Sequence, residues 1–319
     1  MYSSEKYEIL YTQKEPKWQD AARRDVSMQR TQVWQCGDML EIRSFPIWST
    51  KTQKAAAEQA LREKRDRTLI NAKMREKQKR DKFRRILEAN FTGKDILITL
   101  TYNYGPIDYA AVDKAEMERE LAELPQDETE ARKDVQAYVR RLRRWMQRNG
   151  RDPAQLKYMY VTETGKEQRD GEQLPWSVRF HHHVILSGVP REVAEELWPY
   201  GFANSRRLQP NEAGLAQLAA YLTKQRRFSH SWARSKNLIT PQPEVSDRAI
   251  SRRRVARIAA DVARDGRAIL QQIYPGYVAA ETPQVKFSEF TTGVYIYARM
   301  RRLDAWSKGG TSGCRSRTR

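Results

Sequence analysis

The chain has 319 residues, enough for one large domain or two modest ones with a proper core. Its 59 Lys+Arg against 40 Asp+Glu give a formal net charge of +19, so a polyanion, nucleic acid by default, is the expected partner. Two cysteines far apart in sequence, Cys36 and Cys314, exclude a disulfide framework or a zinc ribbon and suit a reducing compartment.

Residues 1–30 are polar and without a clear period. The opening "MYSSEKYEILYTQKEPK" lacks the apolar core of a signal peptide. No apolar run approaches the roughly 20 residues needed to cross a bilayer. A cytoplasmic protein with no membrane partner is expected. In residues 32–48 the turn signal Cys36-Gly37-Asp38 separates two apolar-rich runs, which predicts a β-hairpin. Residues 52–90 lack Pro and Gly and are strongly basic from Arg62 to Arg85, predicting one long helix or two shorter ones. The sparse stripe Leu69, Ile70, Met74, Phe83, Ile86, Leu87 fits equally a solvated helix lying on the core or one tracking DNA.

"DILITLTYN", residues 95–103, is a strand by its β-branched content. The acidic stretch 108–132 reads as a surface insertion or a helix and loop, and carries no functional signal. Residues 134–150 predict an amphipathic helix whose apolar stripe is Val135, Tyr138, Val139, Leu142 and Trp145 or Met146. Its arginines, Arg140, Arg141, Arg143 and Arg144, fill the other face as surface or phosphate contacts. Strands follow at 156–165 and 177–188, then a short helix from Arg191, then a helix from about Asn211, its expected N-cap, to Arg226. A basic helix over about Ser246–Tyr274, an aromatic strand "GVYIYARMRR" and a disordered basic tail at 309–319 complete the chain. The alternation predicts an α+β fold with a mostly antiparallel central sheet and helices on one face of it.

The chemistry concentrates in "RFHHHVILSG", residues 179–188, which holds three of the four histidines; the fourth is His230. Side chains alternate along a strand, so His181 and His183 share a face and His182 points to the other. Two imidazoles one pleat apart can bind one divalent ion. If the preceding strand pairs antiparallel, Glu163 of "VTETG" can supply a third ligand. A His₂–carboxylate site with open positions suits Mn²⁺ or Mg²⁺ in phosphoryl transfer. Downstream, "AAYLTK" puts Tyr221 and Lys224 three apart, on one helix face. A tyrosine can attack phosphorus once a cation favours its phenolate, and Lys224 offers that cation. An isolated tyrosine on such a helix is more often core filling. The specificity lies in the order of strand, H-x-H, upstream carboxylate and Y-x-x-K.

That order resembles the rolling-circle replication initiators of the HUH endonuclease superfamily, most closely the phage- and prophage-type replication-associated proteins related to filamentous-phage gene II and microvirus replication proteins. "ILITLTY", His181–His183 and Tyr221–Lys224 stand where the family has its three motifs, and "YVRRLRRW" and "SKNLITP" also fit. The resemblance covers roughly residues 85–245. It implies a ferredoxin- or RRM-like palm. It also implies His181, His183 and Glu163 as metal ligands, with Tyr221 as the nicking nucleophile and Lys224 as the motif lysine. Two departures stand out. His182 occupies a position where the family prefers a bulky hydrophobe. Gln217 stands four residues before Tyr221, so a second tyrosine is absent.

The implied activity is metal-dependent, origin-specific nicking and joining of single-stranded DNA through a 5′-phosphotyrosine. The implied partners are single-stranded or hairpin origin DNA with a host helicase and polymerase in a bacterial cell. Arg226 and Arg227 join the arginines of 140–144 as candidate DNA contacts. The expected organisation is an N-terminal hairpin and basic helical region over 1–90, the endonuclease core over 91–245, a basic helix and aromatic strand over 246–308, and the tail. The rivals are a one-tyrosine transposase, a relaxase, whose tyrosine normally precedes the histidines, and a non-catalytic basic nucleic-acid-binding protein. No G-x-x-x-x-G-K-[ST] loop is present, so no helicase motor is expected in this chain.

Overall fold

The structure is a computed structural model that describes residues 28–47, 67–103, 124–125, 127–169, 172–224, 232–288 and 293–303. In chain order its elements are β1 (Met28–Cys36), β2 (Met39–Ile47), α1 (Arg67–Asn90), β3 (Ile96–Thr101), α2 (Glu128–Arg148), β4 (Lys157–Arg169), β5 (Glu172–Ser187), α3 (Arg191–Glu196), β6 (Ala203–Arg207) and α4 (Ala216–Leu222). Then come β7 (Trp232–Arg234), β8 (Glu244–Ser246), α5 (Arg252–Ala260), α6 (Arg267–Ile273), β9 (Tyr277–Ala279), β10 (Gln284–Ser288) and β11 (Gly293–Arg302). The fold is α+β, every described strand pair is antiparallel, and the chain divides into two compact units. No described helix is long and apolar enough to cross a membrane.

One unit comprises Met1–Lys77, Asn211–Gly214 and Thr240–Arg319. Its sheet runs β10-β11-β2-β1-β8, with β9 also on β11. The expected hairpin is β1–β2, turned at Gly37, whose φ of 62° is the left-handed conformation that a tight turn needs. Leu40, Ile42, Ile296, Ala298 and Met300 form a core with Val255 and Ile258 of α5 and Ile269 and Leu270 of α6. The single basic helix expected over 246–274 is two α-helices with a π-turn, Val262–Gly266, between them. Asp261 causes the break: its backbone leaves helical angles and its carboxylate accepts from Arg264 N at 3.0 Å, a local bond that competes with the helical ladder. The tail at 309–319 lies outside the described residues, as do residues 52–66 of the first basic segment and most of the acidic stretch.

The other unit comprises Gln78–Pro210 and Leu215–Ile239, with a sheet of order β6-β3-β5-β4-β7. Strand alternation sorts its side chains onto two faces. Ile98, Leu100, Tyr160, Val184 and Leu186 pack under α2 through Val135, Tyr138, Val139, Leu142 and Met146. Leu97, Met159, Val161 and Ile185 pack under Phe83, Ile86 and Leu87 of α1 and Ala219 and Leu222 of α4. The expectation of helices on one face is therefore corrected for this sheet: three of its strands carry apolar residues on both faces, which requires cover on both sides.

The helix expected from Asn211 starts only at Ala216. Asn211 Oδ1 accepts from Ala213 N at 2.9 Å, and Asn211 pairs with Gly214 in a short bridge. This Asx turn satisfies the asparagine before any helix begins. The segment after β7 is laced to the same unit. Ser235 exchanges bonds with Tyr158, Asn237 donates to Ala154 O and Leu156 O, and Asn90 bonds both backbone groups of Ile239.

Candidate metal and nucleophile site

The register of β4 and β5 builds the site. Glu163 lies directly opposite His181, and Val161 opposite His183, so the carboxylate is level with one imidazole and diagonal to the other. All three fall on the face shared with α1 and α4. Their candidate ligand atoms lie within 4.8 Å of one another. His181 Nε2 is 3.3 Å from Glu163 Oε2. Glu163 and His183 are buried, and His181 is partly open to solvent.

Two atoms test whether the cluster suits a metal. Glu163 Oε1 and His183 Nε2 are buried and make no hydrogen bond. Leaving both unmet inside a protein is costly. Both belong to the trio and are usual ligand atoms for a divalent ion. The other nitrogen of His183, Nδ1, lies 3.1 Å from Thr99 Oγ1 on β3. With Nδ1–H donated to that hydroxyl, Nε2 keeps its lone pair free, the arrangement in which a second partner orients a ligating imidazole. Burial pushes the His183 imidazole down to about 4, so it is neutral at ordinary pH. Burial also opposes ionisation of Glu163, yet the bond from His181 and the electrostatic interactions with His183, Lys224 and His181 outweigh it and hold the carboxyl below its ordinary range.

Tyr221 sits on α4, 44% exposed, its ring edge-on to His183 with centroids 5.4 Å apart. Lys224 lies just beyond the end of α4 rather than on it. The fold still brings its Nζ 4.2 Å from the Tyr221 ring centroid and 3.6 Å from Glu163 Oε2. The five residues singled out for chemistry therefore meet in one place.

His182 points away, into the opposite core. Its Nε2 is 3.0 Å from Tyr102 Oη and its Nδ1 is 3.0 Å from Thr162 Oγ1. Burial pushes its imidazole down to about 3. It is a satisfied neutral core residue.

The α2 arginines are not brought to this cluster. Arg140, Arg143 and Arg144 are exposed on a helix that packs against the opposite face of the sheet. Arg141 is half-buried, its guanidinium 5.2 Å above the Tyr200 ring. Arg226, Arg227 and His230 lie outside the described residues. Sequence reasoning missed Thr99, although a polar residue between Leu97 and Thr101 on one strand face was a readable signal. It also missed Arg206 on β6, which shares the cluster's face.

Fold and site together define a class: an α+β protein carrying a His₂–carboxylate cluster on a sheet face beside a helical tyrosine and a lysine. Residues 95–226, the stretch that holds all of these side chains, match the family model of replication-associated proteins of the ORF2 and gene II protein type. The resemblance to phage-type replication-associated proteins is borne out over that stretch, which is less than half of the chain. No curated protein and no solved structure matches the chain.

Proposed function

We propose that the protein initiates rolling-circle replication by nicking and rejoining single-stranded DNA at an origin, with Tyr221 as the nucleophile. The observation that carries this is the convergence of Tyr221 and Lys224 on Glu163, His181 and His183. Glu163, His181 and His183 would hold Mn²⁺ or Mg²⁺, which when bound polarises the scissile phosphate. Tyr221 is exposed enough to reach a phosphate in solution, and its ring is braced by His183. Its Oη attacks phosphorus and gives up its proton to solvent. An O–P bond to tyrosine forms as the bond from phosphorus to the 3′ oxygen breaks, and that oxygen takes a proton. The products are a 5′-phosphotyrosine and a free 3′-OH. Because the new bond is an ester of similar energy, attack by a 3′-OH reverses it and rejoins the strand. Lys224, poised between the carboxylate and the ring, supplies positive charge to the attacking oxygen or the phosphate.

The test is covalent capture. End-labelled single-stranded DNA from the protein's own element is incubated with the protein and Mn²⁺ or chelator, then denatured. A metal-dependent adduct with wild type and none with Tyr221→Phe is the expected result. An adduct surviving in Tyr221→Phe moves the nucleophile elsewhere, and tight binding without any adduct favours a non-catalytic DNA-binding protein.

A further inference from the structure

We propose that the edge of the sheet beside the cluster is a single-stranded DNA subsite, in which Phe202 stacks on a base flanking the scissile phosphate and Arg206 holds a backbone phosphate. This rests on the nicking reading above. A lone exposed phenylalanine needs no explanation in general. What sets Phe202 apart is how it is mounted and where.

Phe202 is 72% exposed, whereas Trp198 and Tyr200 just before it pack their rings against Tyr102. The turn is fastened to the end of β3 by four bonds. Trp198 Nε1 donates to Thr101 O at 2.9 Å and Asn103 N to Tyr200 O at 2.9 Å. Thr101 N and Oγ1 both donate to Phe202 O, at 2.8 and 3.2 Å. Gly201 is pressed so closely on the Thr101–Asn103 backbone that a Cβ there would overlap main-chain atoms. An apolar ring is thus held out in water by a rigid support, which lowers the ordering cost of a stacking contact.

The register supplies the location. Asn204 pairs with Thr99 and Arg206 with Leu97, so these β6 residues are on the cluster's face. The same alternation sets Phe202 level with Thr101, which pairs with His181. Phe202 is therefore two strands from the cluster, about 10 Å at the usual strand spacing.

β6 is also locked along its outer edge. Ser205 N and Oγ donate to Glu195 Oε1 at 2.8 and 2.6 Å, and Arg191 donates to Ser205 O at 2.6 Å. The side chains of α3 thus occupy the outward backbone groups of Ser205, in the middle of this edge. An aromatic ring just before a strand and a cation on it, each i, i+2 step about 6.7 Å where the chain is extended, form the kind of surface that stacks a base and pairs a phosphate.

The experiment measures binding of the full-length protein to single-stranded oligonucleotides from its element, in chelator, so that no cleavage intervenes. The oligonucleotides carry 2-aminopurine at successive positions across the nick site. Phe202→Ala is expected to weaken binding roughly tenfold and to abolish the 2-aminopurine quenching at one flanking position, with Phe202→Trp restoring both. Arg206→Ala is expected to flatten the slope of log affinity against log salt by about 0.7. Unchanged affinity and quenching in Phe202→Ala, or an equal loss in Phe202→Trp, would overturn the proposal. Thermal melting equal to wild type, expected for so exposed a ring, separates loss of contact from misfolding. Failure of the capture assay would remove the nicking reading while these binding contrasts still stand or fall alone.

Discussion

At His182 burial keeps the ring neutral, and the hydrogen bonds suit that state. If Tyr102 gives its single proton to Asp134 Oδ2, 3.0 Å away, its oxygen can accept from His182 Nε2–H, and Thr162 can donate to Nδ1. The neutral imidazole is then fully paired, and burial, which disfavours the charged ring, keeps a second proton off it. Its folded-state value of about 3 lies below the ordinary 6.5, so the unfolded chain binds the proton first as pH falls. This contribution is constant above pH 6.5 and is lost at about 1.4 kcal/mol per unit between 6.5 and about 3. Denaturant unfolding of wild type and His182→Gln across that window should show their stability difference shrinking with acid; parallel curves would refute the assignment. On the other face Thr99 orients His183. Thr99→Val keeps the shape and removes the hydroxyl, and should weaken Mn²⁺ binding 10- to 100-fold by calorimetric titration while leaving the Tyr221 adduct intact at saturating metal. Unaltered affinity would mean that Thr99 does not set the imidazole.

Among the elements, those with a strong period were legible and those decided by local bonding were not. α2 declares itself because Val135, Tyr138, Val139, Leu142 and Met146 must all fall on one stripe to be buried, and they are. Only the choice between Trp145 and Met146 was left open, and Met146 is the buried one. The β3, β4 and β5 strands were readable from β-branched content, and their pairing carried the three ligand positions together. Asn211 and Asp261 show the reverse. Each is a polar side chain that bonds its own neighbouring backbone, shortening one helix and breaking another, and periodicity does not register such bonds. The second helical layer was also missed, because alternation shows which residues share a face without showing what covers it. Leu142 is the sharpest test of α2's packing. Leu142→Ala should cost about 2–5 kcal/mol in denaturant unfolding. Arg143→Ala, one position along on the exposed side, should stay within about 0.5 kcal/mol. Similar losses for both would mean that α2 is not docked as described.

Over the whole molecule, the charge of +19 indicated a polyanionic partner but could not say which surface meets it. Within the unit that carries the cluster, cations stand on both sides of the sheet. Lys224 and Arg206 are on the cluster's side, while Arg140, Arg143 and Arg144 are exposed on α2 across the sheet. A strand passing over Tyr221 cannot touch both at one nucleotide. If the α2 arginines contact DNA, as the sequence suggested, they must hold a more distant part, such as a duplex arm of a hairpin origin. The two groups then differ in what they control. Replacing Arg140, Arg143 and Arg144 together by alanine should weaken binding to hairpin DNA and flatten its salt dependence by up to about 0.9 per lost phosphate contact. On a short single strand at saturating protein, the single-turnover rate of adduct formation should stay at the wild-type value, because no group near the reacting phosphate has changed. A slower single-turnover rate on the short strand would place the arginines on the cleaved strand after all. An unchanged salt slope on hairpin DNA would make them solvent-facing charges with no part in recognition.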